Sequence, residues 1–205
     1  MATQLTIEAI KSIRESINRM LTSNKHTVLV TSQMFYSNKI RAHHSSIVKI
    51  CVAIVDNSHG YPIAEQSWFI KPEGEFPTLT TSLLGISEED CCDCSDFSTV
   101  MIEVKQFICQ HTNVDSVVWT AWGRQEQQRI KRVVKLHEGS IDPLLDIRFF
   151  DLESSVAASS SNERCTIDSF LADRFPYSHN FKQHQLGIEL QDLIAAYQVF
   201  RTEHI

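Results

Sequence analysis

The sequence predicts an α/β fold: a mixed central sheet flanked by helices, with an extra helix ahead of the first strand. Three observations predict it. Residues 47–70 read as a β-hairpin, with Ile47–Val55 rich in β-branched residues, a turn at Asp56-Asn57-Ser58-His59-Gly60 and a return strand reaching Ile70. A short β-rich run, His26–Val30, stands ahead of the hairpin. After residue 84 the apolar pattern changes to helical spacing, broken by one more β-rich run at Val117-Val118-Trp119.

Composition sets the bounds. A chain of 205 residues is one domain, or one domain with an extension, and is long enough to bury a core. We divide it into an N-terminal helical extension, 1–24, and a main domain, 25–205. Charged residues make up 21% and hydrophobic ones 42%, ordinary values for a soluble globular protein. The formal net charge of −6 argues against a generic nucleic-acid coat and leaves room for a local basic groove. No apolar run reaches the roughly 18 residues of a membrane span. The first residues, Met-Ala-Thr-Gln-Leu-Thr-Ile-Glu, have neither the basic nor the apolar region of a secretory signal. The expectation is an intracellular protein, cytoplasmic or nuclear, with reduced cysteines.

Each element has its own signal. Leu5, Ile7, Ile10, Ile13, Ile17, Met20 and Leu21 form one helical face, with Lys11, Arg14, Glu15 and Arg19 mostly outside it. That helix packs on the domain's flank or offers a partner or dimer surface. Thr31-Ser32-Gln33 follows the first strand. Met34–Ser46 is a polar loop carrying Lys39, Arg41, His43 and His44, solvated rather than metal-ligating. Lys71-Pro72 closes the hairpin, because proline cannot donate to a sheet ladder. Glu73–Leu84 reads as a loop. Gly85–Asp90 reads as a helix start, with Ser87 as cap and acidic residues after it. Phe97, Val100, Met101, Val104, Phe107 and Ile108 predict a helix over 95–110.

Val114–Thr120 contains Val117-Val118-Trp119, a strand ended by Trp122-Gly123, and Arg124–Leu136 is a helix made basic by Arg124, Arg129, Lys131, Arg132 and Lys135. A β-like run falls around Leu145–Phe150. Helices are predicted over 152–158, over 166–175 with Thr166 as a candidate cap, and over 187–200 with Leu190, Leu193, Ile194, Tyr197 and Phe200 on one face. Six cysteines remain. Cys51 sits in an apolar strand as a small hydrophobe. Cys91-Cys92-Asp93-Cys94 is a cluster without a matching Cys or His pair at zinc-site spacing.

The order of these pieces resembles the DEDDh (DnaQ-like) 3′–5′ exonucleases of the RNase H-like fold, especially the branch that trims RNA 3′ ends. The resemblance rests on Ile47–Asp56, Phe69-Ile70-Lys71-Pro72, Leu83-Leu84-Gly85-Ile86-Ser87, Val117–Glu126 and Asp192–Phe200, and it spans about 26–200. It implies a mixed exonuclease-type sheet. It also implies two divalent cations, Mg²⁺ or Mn²⁺, held by four carboxylates, with a histidine as general base. The first two carboxylates come as Asp-x-Glu at the end of the first strand.

At most of these points the sequence departs from the family. The Asp-x-Glu position falls on Thr31 and Gln33. The second aspartate falls on Glu126, one methylene longer. The final aspartate is Asp192. The histidine position, five residues earlier, is Gly187, with His184 and His179 nearby and His184 as a possible substitute base. Glu126 and Asp192 are therefore the only candidate metal ligands the resemblance leaves. Fewer anionic ligands weaken Mg²⁺ binding, since the ion gives up its hydration reluctantly. Losing a general base costs about 10²–10⁴ in rate by itself.

These residues also have plainer readings. Thr31 and Gln33 are then surface polar groups, Glu126 pairs with Arg129 or Arg124, Asp192 lies on a solvated helix face, and Trp122 is core. Two expectations follow. The first is an inactive exonuclease-like domain that binds a protein partner, or single-stranded RNA or DNA through Arg124, Arg129, Arg132 and Lys135. The second is a divergent but active metal-dependent 3′–5′ exonuclease. Homodimerisation remains open in both.

Overall fold

A strand with polar residues at one end is buried along its whole length. All nine residues of β1 (His26–Met34) are buried. Such a strand needs partners on both edges and a cover on both faces. The computed structural model, which describes residues 11, 12, 15, 18, 19, 21–35, 46–137, 140–160, 166–175 and 188–204, supplies all four. Among the described residues five strands form one sheet in the order β3-β2-β1-β4-β5. The others are β2 (Ile47–Asp56), β3 (Pro62–Phe69), β4 (Val117–Ala121) and β5 (Arg148–Asp151). β1 pairs antiparallel with β2 and parallel with β4; β2–β3 is antiparallel and β4–β5 parallel. This is the mixed sheet that the sequence predicts.

The helices are α1 (Thr78–Leu84), α2 (Phe97–His111), α3 (Arg124–Leu136), α4 (Leu152–Ser160), α5 (Ile167–Ala172) and α6 (Leu190–His204). Side chains alternate along a strand, so neighbouring residues of β1 enter different cores. Val28 and Val30 join Ile50, Val52 and Ile54 against Val100, Met101 and Val104 of α2 and Ile130 and Val133 of α3. Leu29 joins Cys51, Ala53 and Val55 against Phe170 of α5 and Leu193, Tyr197 and Phe200 of α6. The N-terminal segment is helical at 11, 12, 15, 18, 19 and 21–23. It is anchored by fully buried Leu21 and by Asn57 Nδ2, which donates to the Asn24 carbonyl at 2.9 Å.

Three local readings change. β1 does not stop at Val30: β2 is ten residues long and keeps offering partners, so Thr31, Ser32 and Gln33 pair with Cys51, Ile50 and Lys49. The segment 73–84 is not all loop, because α1 occupies its second half and ends at Gly85, whose φ of 70° lets its N–H return to the Thr81 carbonyl. Ser87 does engage Asp90, with its N–H and hydroxyl each 2.7 Å from Asp90 Oδ2, but only turns follow. The helix begins at Phe97, where Asp96 accepts the Thr99 N–H at 2.8 Å. Thr166 does cap α5, accepting the Ser169 N–H at 3.2 Å.

Candidate functional site

Parallel pairing of β1 with β4 brings the first turn of α3 to the C-terminal end of β1. Gly123 makes the junction, with φ of 86°, and a Cβ there would stand 2.5 Å from Glu153 Oε2. That combination of dihedral and close approach selects glycine. Three residues on, Glu126 turns into the fold and is 8% exposed.

At the strand end Thr31, Ser32 and Gln33 are 4%, 1% and 7% exposed. Ser32 lies on the same face as Val28 and Val30, toward α3. Its hydroxyl donates to Glu126 Oε1. Arg129, one turn along α3, donates from Nη1 to Glu126 Oε2 at 2.9 Å and to the Ser32 carbonyl at 3.2 Å. Burial raises the Glu126 carboxyl above the ordinary glutamate range, while the Arg129 charge and the Ser32 hydrogen bonds pull it back down. Of the two cationic partners the sequence offered, Arg129 is the one Glu126 takes. Arg124 instead stands 3.6 Å from Asp151 Oδ2.

Thr31 and Gln33 face the other way, toward α6. Thr31 stands opposite Cys51 across β1–β2; burial raises the Cys51 thiol, and the Thr31 hydroxyl pulls it partly back. Gln33 Nε2 donates to Glu189 Oε1 at 2.8 Å. Glu189 precedes α6 and lies three residues before Asp192, a half-buried residue in the first turn of that helix. Sequence reasoning missed Ser32 and Glu189. Strand alternation carries the signal for Ser32: if Thr31 and Gln33 share one face, Ser32 must face the helix that follows β4.

Among the described residues the donor set does not fit a two-cation carboxylate site. Hard divalent ions want several anionic oxygens. Here both Glu126 oxygens already accept hydrogen bonds, and Gln33 presents an N–H to the neighbouring carboxylate. Among the described residues no three His, Cys, Asp or Glu side chains converge as ligands. That statement includes the cysteine cluster, where Cys91 is fully buried with its thiol pushed up to about 11, chiefly by burial, and Cys92 is exposed. Gly187, His184, His179, Lys39, Arg41, His43, His44 and Cys165 lie outside the described residues.

The basic helix divides. Arg124, Lys131, Arg132 and Lys135 are exposed, whereas Arg129 is turned inward onto Glu126. The four cations expected to hold a nucleic-acid backbone therefore do not share one surface.

No family profile matches the sequence, and no curated protein matches it. Solved structures do match the fold. A full-length 3′-exonuclease is similar at 10% identity and a TM-score of 0.72, covering 88% of this chain and 82% of its own. A 3′-exonuclease described in 3′-end specific recognition of a histone mRNA stem-loop is similar at 10% identity and a TM-score of 0.76, covering 96% and 72%. The nuclease domain of 3′hExo, a DEDDh family member solved with rAMP, is similar at 11% identity and a TM-score of 0.72, covering 88% and 92%. No helix among the described residues is long and apolar enough to cross a membrane. This chain thus has the exonuclease-type RNase H-like fold of the DEDDh 3′-exonucleases.

Proposed function

We propose that this chain is an exonuclease-fold domain without hydrolytic activity, working as a binding or scaffold module. One observation carries the reading. Where an exonuclease of this fold needs carboxylates at the end of the central strand, Thr31 offers a hydroxyl and Gln33 an amide whose N–H is committed to Glu189. A donor aimed at a carboxylate does the opposite of what a metal ligand must do. Replacing two of four anionic ligands by neutral ones halves the charge that draws Mg²⁺ out of water.

The test is metal-dependent degradation of 3′-labelled single-stranded RNA and DNA in Mg²⁺ and in Mn²⁺, with the Glu126→Ala/Asp192→Ala double variant as control. The expected result is no degradation above that control. Degradation that the double variant abolishes would overturn the proposal and mean that an unconventional ligand set completes the site.

The net charge of −6 favours a protein partner. A second reading, a single-stranded nucleic acid on the outer face of α3, is supported by exposed Arg124, Lys131, Arg132 and Lys135. Binding of that kind weakens steeply with added salt, because each phosphate contact releases a counterion. An affinity that salt leaves unchanged would remove the second reading and keep the first.

A further inference from the structure

Glu126 presents a problem of charge. A carboxylate buried in the core is costly unless it is paired and its oxygens are satisfied. In a metal-dependent site the cation does that work. Here groups of the chain itself meet it: Ser32 Oγ donates to Oε1, Arg129 Nη1 donates to Oε2 at 2.9 Å, and the same Nη1 reaches the Ser32 carbonyl at 3.2 Å. The three contacts close a ring between the end of β1 and the first turns of α3. Arg129 is itself only 24% exposed, so its charge faces Glu126 with little screening by water.

We propose that Arg129 is a resident cation that takes over, at the end of β1, the neutralising and cross-linking role of a bound divalent ion, and so makes the site refractory to metal. The inference rests on the non-hydrolytic reading above. Two physical reasons support it. A Mg²⁺ ion needs oxygen lone pairs at about 2.1 Å in near-octahedral array, and both Glu126 oxygens already accept hydrogen bonds. A guanidinium keeps its positive charge at every accessible pH, so it repels a second cation at this spot permanently.

The test is thermal unfolding of the whole chain in Mn²⁺ and in EDTA, across pH. Wild type is expected to unfold at the same temperature in both. Arg129→Met is expected to lose stability at neutral pH, to regain part of it as acid protonates Glu126, and to be lifted by Mn²⁺. Arg129→Met/Glu126→Gln is expected to recover most of the loss and to ignore both pH and Mn²⁺. If Arg129→Met fails to fold in EDTA, its refolding yield with and without Mn²⁺ reads the same quantity. Arg129→Lys, with its charge kept, is expected to stay insensitive to Mn²⁺.

Three outcomes would overturn the inference: Mn²⁺ raising the wild-type midpoint, equal losses in the single and double variants, or an Arg129→Met variant that Mn²⁺ leaves unmoved. A wild type that degrades RNA would instead sink the non-hydrolytic reading. An inactive wild type with a Mn²⁺-insensitive Arg129→Met variant would sink the resident cation alone.

Discussion

Gln33 Nε2 stands 2.8 Å from Glu189 Oε1, and this one bond ties the end of the central strand to the start of the last helix. An amide can make it because its N–H is a donor. The carboxylate expected at this place in the fold family would face Glu189 as a like charge.

Gln33→Glu is therefore expected to destabilise the domain by about 1–3 kcal/mol at neutral pH, through a lost hydrogen bond and a new repulsion. The loss should shrink in acid, where a protonated carboxyl can donate again. Urea unfolding at pH 4 and pH 7.5 measures both. An equal loss at the two pH values would assign the effect to packing instead.

Glu126 gives a pH dependence with a definite sign. Burial raises its folded-state carboxyl above the unfolded value of 4.5. Its contribution is complete below that value, where both states are protonated, and is lost as pH rises through the raised folded value. Glutamine imitates the protonated form. The stability of Glu126→Gln relative to wild type should therefore climb between pH 4 and pH 8, and a flat difference would contradict it.

Tyr197 Oη lies 2.8 Å from Thr27 Oγ1 and donates to Asn57 Oδ1 at 2.8 Å, joining α6, β1 and the β2–β3 turn. Tyr197→Phe should cost about 1–2 kcal/mol. Burial pushes the phenol up to about 12 from an ordinary 10. Its stabilisation is thus complete below pH 10 and lost as pH rises toward 12. Alkaline unfolding of Tyr197→Phe should be correspondingly less steep over that range.

The thiols separate by exposure. Cys92 and Cys109 are exposed, while Cys51 and Cys91 are buried with raised thiols. Among the described cysteines, alkylation of the native protein at pH 8, read by mass spectrometry, should mark Cys92 and Cys109 first and leave Cys51 and Cys91 unmodified. Early labelling of Cys91 would mean that its small core with Phe35, Val48 and Ile86 opens readily.

What the sequence disclosed follows from where the information lies. Ile47–Val55 and Phe97–Ile108 announce themselves because burial on a regular element leaves a period, and the fold follows from their order. The polar end of β1 leaves none: Thr31, Ser32 and Gln33 look like the end of a strand until their partners are known. Glu126 was visible as a candidate and Arg129 as one of two possible mates. The choice between them, and the inward turn of Arg129, depend on how α3 lies on β1. Thr78–Leu84 escaped because its threonines and serine carry little helical preference.

The central place of β1 has a consequence for biosynthesis. Its antiparallel partner β2 follows closely, but its parallel partner begins at Val117, with His26 opposite that residue. A chain leaving the ribosome completes the β1-β2-β3 meander early and must then wait for β4 with one full edge of β1 bare. The wait is longer still for the face that holds Leu29, Ala53 and Val55, since Leu193, Tyr197 and Phe200 follow well after β4. Nascent chains stalled before α6 would thus carry an uncovered apolar sheet face and make natural clients for chaperones, and a stop codon ahead of Leu190 would abolish soluble protein rather than trim it.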